Sequence, residues 1–589
     1  MNVLKIYFVE NYSAMKKLLL IVFTSIITLS AYTQDTVSKS NDRYFNINKN
    51  IDILTSILKE IDLFYVDSLD VDNVVNKTIN SMLTQLDPYT NYISEKDMGD
   101  LEFMTTGEYA GIGSIISYKD SNVVINEPYE GLPADKSGLK PGDIILSIDD
   151  EDVRKSNVQE VSNLLKGKPG TKLTITIQRP GESKKRKIDV VREKISIHPI
   201  SYSAVVDNNI GYMHFDTFTE NGAQEVKNTV IALKEQGAQS LILDLRGNGG
   251  GIMEEAVKIV NIFVPKGQEV VSTRGKIKQW DRVISTTEQP VDSLIPLVVL
   301  IDNSSASASE IVAGTLQDLD RAVIVGDRSF GKGLVQTVRE LPFGSSLKVT
   351  TAKYYTPSGR GIQAMDYSHR NPDGSVGRIP DSLTTVFHTK KGREVRDGGG
   401  ITPDIKVEET KPGTISFYLL NENVVFDFAT QWVLNHPTIP TVEQFTFTDD
   451  DYEQFKTYVK SIDFEYDRIS EKSLKSLEEV MEFEGYMKTA TDEFKALEEK
   501  LVPNLDRDLE TFKDEIRSLV SSEIVKRYYY KKGAIQESLK TDKAFDKAIE
   551  VLKDKVVYNQ TLEPLPQNMP SAEEIKEKMK KQYSGAKIG

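Results

Sequence analysis

From residue 195 to about 405, short apolar runs alternate with stretches of helical period, and this rhythm restricts the chain more than any other feature. "GYMHFDTF" precedes the helix-like "GAQEVKNTVIALKEQG", "SLILDLR" precedes "MEEAVKIVNIFV", and "PLVVLID" leads into a further helix and then "AVIVGD". Strands alternating with helices predict a mostly parallel sheet wrapped in helices, since a parallel strand is reached only through a long crossover.

The flanks read differently. A chain of 589 residues is too long for one core. Residues 41–102 predict a helical region, because "NIDILTSILKEIDLFYVD" and "DNVVNKTINSMLTQL" space Ile and Leu three and four apart before the break at Asp87-Pro88. Residues 103–193 set β-rich stretches between glycine turns around one helix-like piece, "NVQEVSNLLKG", and predict a small β module ahead of the core at 194–405. Residues 406–565 are charged and helix-like, expected as a solvated bundle, with a mobile tail at 566–589.

"MKKLLLIVFTSIITLSAYTQDT", starting at Met15, has a charged start, an apolar run from Leu18 to Leu29 and a small-residue exit. Residues 1–33 therefore predict an export signal with its true start at Met15. No comparable apolar run recurs, so no membrane segment is expected once the signal is removed. Cysteine is absent, which excludes disulfides, a thiol nucleophile and a thiolate metal site. These features predict a soluble periplasmic protein. With 73 Lys and Arg against 88 Asp and Glu, the net charge of −15 gives no attraction to nucleic acid. Five scattered histidines make no H-E-x-x-H, and neither metal nor cofactor is expected.

"GDRSFGKGLVQ", residues 326–336, imitates a phosphate loop until Gly333 stands where a magnesium-binding Ser or Thr is needed. Lys332 must serve another purpose. Upstream, "PLVVLIDNSSASASEIVAGTLQDLD" runs from a strand through small polar residues into a helix starting near Ser307. Serine is a favoured helix cap, yet a helix N-terminus also favours a developing oxyanion.

The sequence resembles the carboxyl-terminal processing peptidases, or tail-specific proteases, from about residue 50 to 405. "LDPYTNYI", "GIG", "SGLKPGD", "LDLRGNGGG", "SASASEI", "GKGLVQ", "LKVTTAKYYTPSGRGIQ" and "GGGITPD" occur in the family's order. The resemblance implies a Clp/crotonase-like α/β core with an inserted PDZ domain and helical N-terminal and C-terminal regions. It makes Ser307 the nucleophile, Lys332, 25 residues downstream, its general base, and Gln336 the residue that orients the lysine. A lysine base must be neutral, which requires a lowered pKa. The oxyanion hole is expected from the backbone amides of Ala308 or Ser307 and of Gly249 or Gly250. Relatives usually carry a proline in the glycine run where this chain has Gly249, which leaves the choice of donor open. Glu310 reads as a favourable first-turn acid.

Residues 103–193 resemble a PDZ domain, which captures a C-terminal carboxylate on consecutive backbone amides. Tyr109, Gly111, Ile112 and Gly113 match the carboxylate loop, and the helix from Val158 to Leu165 should close the groove. Lys166 stands where many relatives have arginine. The expected partners are proteins with exposed apolar C-termini, with room for an adaptor lipoprotein and for homo-oligomers. The rival reading is a catalytically silent tail-binding chaperone or scaffold, and both dyad residues argue against it.

Overall fold

The computed structural model describes residues 43–371, 373–408, 413–466, 469–501 and 504–564. The expected signal at 1–33 and tail at 566–589 lie outside the described residues. The chain divides into two compact units, 1–92 and 93–589. In the first, residues 43–64 and Val71–Leu83 are helical, the latter capped by Asp70, whose carboxylate accepts the Asn73 amide at 3.1 Å. Buried Asp87 accepts the amides of Tyr89 and Thr90, both at 2.8 Å, so its own side chain closes the turn that ends the helical pattern.

The second unit begins with the small module. Strands β1 (Ser114–Lys119), β2 (Asn122–Pro128), β3 (Ile144–Ile148), β4 (Lys172–Gln178) and β5 (Lys185–Val191) pair antiparallel in that spatial order, with β1 at an edge. Leu173, Ile175 and Ile177 of β4 are buried and their neighbours are not, the period of two that a one-sided sheet requires. Helix α1 (Val158–Leu165) packs Val161 and Leu165 against this face and starts in a capping box between Asn157 and Glu160.

The core runs β6 (Ile200–Val206), β7 (Ile210–Phe215), α2 (Gly222–Glu235), β8 (Ser240–Asp244), α3 (Met253–Phe263), β9 (Glu269–Gly275), β10 (Leu297–Ile301), α4 (Ala308–Asp318), β11 (Val323–Gly326), β12 (Leu334–Glu340), β13 (Ser346–Tyr355) and β14 (Ile405–Lys406). The main sheet has the order β6-β7-β8-β10-β11-β14, parallel except for the first pair. A smaller antiparallel sheet pairs β13 with β9 and β12. Strands β8 and β10 are buried at every residue, so β10 and the centre of β8, Leu241–Leu243, read as unbroken apolar runs. Leu241, Leu243, Leu297 and Val299 face a cluster with α2, α3 and α4.

The opposite face holds a finding that the sequence concealed. Ile242, Val298 and Leu300 pack against Phe545, Ala548, Val551 and Leu552 of a C-terminal helix. After α5 (Val424–Asn435) and α6 (Lys513–Ser538), this helix, α7 (Lys543–Lys553), is a second cover for the main sheet. The expectation of a solvated bundle therefore holds only in part. Helical spacing shows that α7 has an apolar stripe and says nothing of the surface that stripe meets. The rest of the region has its own core, around Phe428, Trp432, Tyr452, Phe455 and Val520.

Candidate active site

Beyond β10, the turn from Asp302 brings Ser307 to the start of α4. Its serines have separate fates. The Ser305 hydroxyl donates to the Leu245 carbonyl and the Ser309 hydroxyl to the Asn248 carbonyl, each at 2.8 Å, and both residues are fully buried. Ser307 is half-buried and holds φ 56 and ψ −111, a backbone conformation that costs a residue with a β-carbon about 1–3 kcal/mol.

Glu310, the third residue of α4, is fully buried. Its Oε2 accepts the amides of Ser307 and Lys332, both at 2.9 Å, while Oε1 accepts the Gly331 amide at 2.7 Å and the Ser329 hydroxyl. One carboxylate thus ties together the backbones of Ser307 and Lys332. Burial pushes its pKa up, against the pull of these four bonds. The sequence reading as a first-turn acid missed this bridge, although S-x-x-E is the spacing of a capping box and was the available signal.

Lys332 is half-buried in the bend before β12. Its flanking glycines are there for space. A β-carbon at Gly331, whose φ is +90, would stand 2.3 Å from the Ala364 β-carbon, and one at Gly333 would stand 2.8 Å from the Gln363 amide nitrogen. Gln336 lies on β12, where its side-chain amide donates to the Thr350 hydroxyl of β13 at 3.2 Å. Buried Tyr354 donates its hydroxyl to the Ser307 carbonyl at 3.1 Å.

The glycine loop comes to the same place. A β-carbon on Gly250 would lie 2.7 Å from the Ala306 carbonyl oxygen and 2.9 Å from the Ala308 nitrogen, whereas Gly249 has open space. Asn248, fully buried and unforeseen, fixes the loop. Its Nδ2 donates to the Phe215 carbonyl at 2.7 Å, its carbonyl accepts the Ala306 amide at 3.0 Å, and its Oδ1 accepts the Gly250 amide at 2.9 Å. The Gly250 amide is thereby already committed, and no comparable spacing signal in the sequence marks Asn248.

A second polar cluster occupies the ends of β7 and β8. Buried Asp244 accepts from Tyr212 at 2.8 Å and pairs with Arg246, which also bonds Asp542 at 2.6 Å. His214 Nε2 lies 3.3 Å from Asp216. Burial works against charge on His214, but the carboxylates of Asp216 and, 3.7 Å from Nδ1, Asp244 prevail and push its pKa up to about 9. A protonated imidazole has no lone pair with which to accept a proton from serine.

In the small module, Gly113 has φ +72, and a β-carbon there would lie 2.7 Å from that of Leu132. Ile112 is spent on the module's core. The Tyr109 ring covers Gly111, and burial raises the pKa of its phenol against the pull of the nearby Ser114 and Gly113 amides. Leu165 is buried near this loop, 3.8 Å from its carbonyl oxygen to the Gly111 β-carbon position, and Val158 is half-buried. Lys166 pairs with Asp100 at 2.8 Å. Among the described residues, no cluster of acidic or histidine side chains could hold a metal ion, and no helix is long and apolar enough to cross a membrane.

Three family profiles match the chain: peptidase family S41 over residues 209–376, a PDZ domain over 124–179, and a probable PDZ-protease C-terminal helical domain over 415–552. Carboxy-terminal processing protease CtpA of Bacillus subtilis is 32% identical over 358 residues, 59% of this chain and 74% of that protein. A carboxy-terminal-processing protease of Bartonella bacilliformis is 32% identical over 405 residues, 67% of this chain and 83% of that one. A solved structure titled photosystem II D1 C-terminal processing protease shares 28% identity, covering 60% of this chain and 86% of its own, with a TM-score of 0.33. Identity of this extent, with the family matches in both core and module, makes the chain a member of peptidase family S41, a serine-type carboxy-terminal processing protease with a PDZ domain.

Proposed function

We propose that this protease works in the periplasm, captures proteins by exposed apolar C-terminal tails, and cleaves them through a Ser307–Lys332 dyad. The observation that carries the reading is the Glu310 carboxylate, which accepts the backbone amides of both residues on a single oxygen. Neutral Lys332 takes the Ser307 proton as the hydroxyl oxygen attacks the scissile carbonyl, then passes it to the departing amine. Water, activated in the same way, hydrolyses the resulting ester. The amide of Ala308 or Ser307, with that of Gly249 or Gly250, would hold the oxyanion. Gly249 is favoured on one side, because Gly250 would have to release Asn248. Gln336 is assigned to orienting Lys332 along β12 through its anchor on Thr350.

The tail would add as a strand to the edge of β1 beside α1, with its carboxylate at the loop from Gly111 to Gly113. Ile115 of β1 is exposed and Val158 of α1 half-buried, an apolar lining for such a tail. Export rests on the leader-like stretch at Met15. The test uses the chain without residues 1–33 and a loosely folded substrate with an apolar tail, free or amidated at its C-terminus. Rapid cleavage of the free acid and slow cleavage of the amide is expected, and equal rates would remove tail capture from the proposal.

A further inference from the structure

Helix α6 contains one residue that is not helical: Tyr530, at φ 56 and ψ −164. A non-glycine residue in that region is strained and persists only where its surroundings insist on it. Three residues on, Gly533 permits the bend, since a β-carbon there would stand 2.3 Å from that of Tyr529. The break sends consecutive side chains to different parts of the protein. Tyr530 donates its hydroxyl to Asp135 and Lys532 pairs with Glu130, both at 2.8 Å and both in the small module. Lys531 between them pairs with Asp216 of the core at 2.7 Å.

Each end of this strap is bonded to a working loop. On the module side, the Ala134 amide donates to the Ile112 carbonyl at 2.7 Å and the Tyr129 amide to the Gly113 carbonyl at 3.0 Å, so the segment that holds Glu130 and Asp135 is fastened to the carboxylate loop. On the core side, Asp216 is followed by Thr217 and Phe218. Their hydroxyl and amide donate to the Gly250 carbonyl, at 3.4 and 3.2 Å. We propose that Tyr530 and Lys531 are positioning residues for the reaction: the break in α6 couples tail capture in the module to the placement of the glycine loop beside Ser307. The coupling rests on the tail-capture reading above and adds the route by which a bound tail raises turnover. A straight helix would turn Lys531 and Lys532 only about 100° apart along a common axis. The break lets neighbouring residues of one short segment hold both bodies.

Lys531 is half-exposed, and an exposed ion pair adds little to stability, so its loss should leave the protein folded. The experiment compares the wild type with Tyr530→Phe, Lys531→Met and Lys531→Arg. It measures tail-peptide affinity, and kcat and KM for a tailed substrate and for a short untailed peptide. In the wild type, the tail should raise kcat. In Tyr530→Phe and Lys531→Met, kcat for the tailed substrate should fall about tenfold while tail affinity and untailed cleavage hold, and Lys531→Arg should restore it. Equal loss on tailed and untailed substrates would reduce both residues to structural support and overturn the coupling. Full tail-dependence in both variants would also overturn it, leaving tail capture intact. A wild type indifferent to the tail would overturn the tail-capture reading and the coupling together.

Discussion

Two carboxylates in this core, Glu310 and Asp244, are both fully buried, and they are satisfied in opposite ways. Glu310 has four neutral donors, three of them backbone amides, and its pKa is raised because burial outweighs those bonds. Asp244 has Arg246 and His214 at hand, and these hold its pKa well below the ordinary carboxylate range despite complete burial. The first arrangement fixes distances. The second fixes charge, and through Arg246 and Asp542 it ties the C-terminal region to the sheet. The backbones of Ser307 and Lys332 are held together through amides, and a joint between regions through ion pairs.

The comparison breaks most visibly at the residues Glu310 positions. Ser307→Ala and Lys332→Ala should each lower kcat by about a thousandfold or more, measured on a tailed substrate, with tail affinity unchanged. Lys332→Arg should be nearly as damaging, because arginine stays protonated and cannot act as base. A Lys332→Arg enzyme at parental rate would exclude Lys332 from that role.

Glu310→Gln sharpens the contrast. Glutamine keeps the shape but presents an NH2 group to two of the four donors, so kcat should drop about a hundredfold from displacement of the dyad, at a stability cost of about 2 kcal/mol. A variant with parental kcat would mean that Glu310 merely caps α4.

The ion-paired cluster should respond to pH instead. The folded-state pKa of His214, about 9, lies above its ordinary 6.5, so its contribution is fully present below about pH 6.5 and is lost as pH rises through 9. The stake is about 3 kcal/mol, with Asp216, Asp244, Arg246, Lys531 and the Tyr212 hydroxyl as its surroundings. Melting temperature should therefore fall between pH 7 and 10, and His214→Gln should flatten that fall. An unchanged slope would remove His214 from the cluster's energetics.

The smallest effect concerns the carboxylate loop. The Tyr109 phenol sits beside the amides of Gly113 and Ser114, the groups a tail carboxylate would need. Tyr109→Phe should then tighten tail binding roughly three- to tenfold, read by titration with a labelled peptide. Weaker binding would mean that the phenol helps to hold the tail. Substituting Gly113 is a poorer probe, since any β-carbon there meets Leu132.

The sequence made the strands and the dyad candidates legible because these are local: β10 and the centre of β8 are apolar runs, and Ser307 and Lys332 sit in short distinctive strings. Lys332 could be separated from a phosphate loop by Gly333 alone. The anchors of Asn248, the reach of Glu310 to residues 331 and 332, and the docking of α7 depend on partners far along the chain. No periodicity records such partners. Helical spacing marks the apolar stripe of α7 without revealing that the main sheet was the surface waiting for it. The break at Tyr530 is still less visible, with Gly533 its one local trace.

The strained backbone of Ser307 has a consequence for how this protein could decay over generations. Glycine tolerates that conformation and alanine does not, so Ser307→Gly should melt above Ser307→Ala. A lineage freed from the need to cut proteins would gain folding stability by drifting to glycine at this position. Under the proposed dyad, the nucleophilic hydroxyl is what would hold serine at this position against that drift.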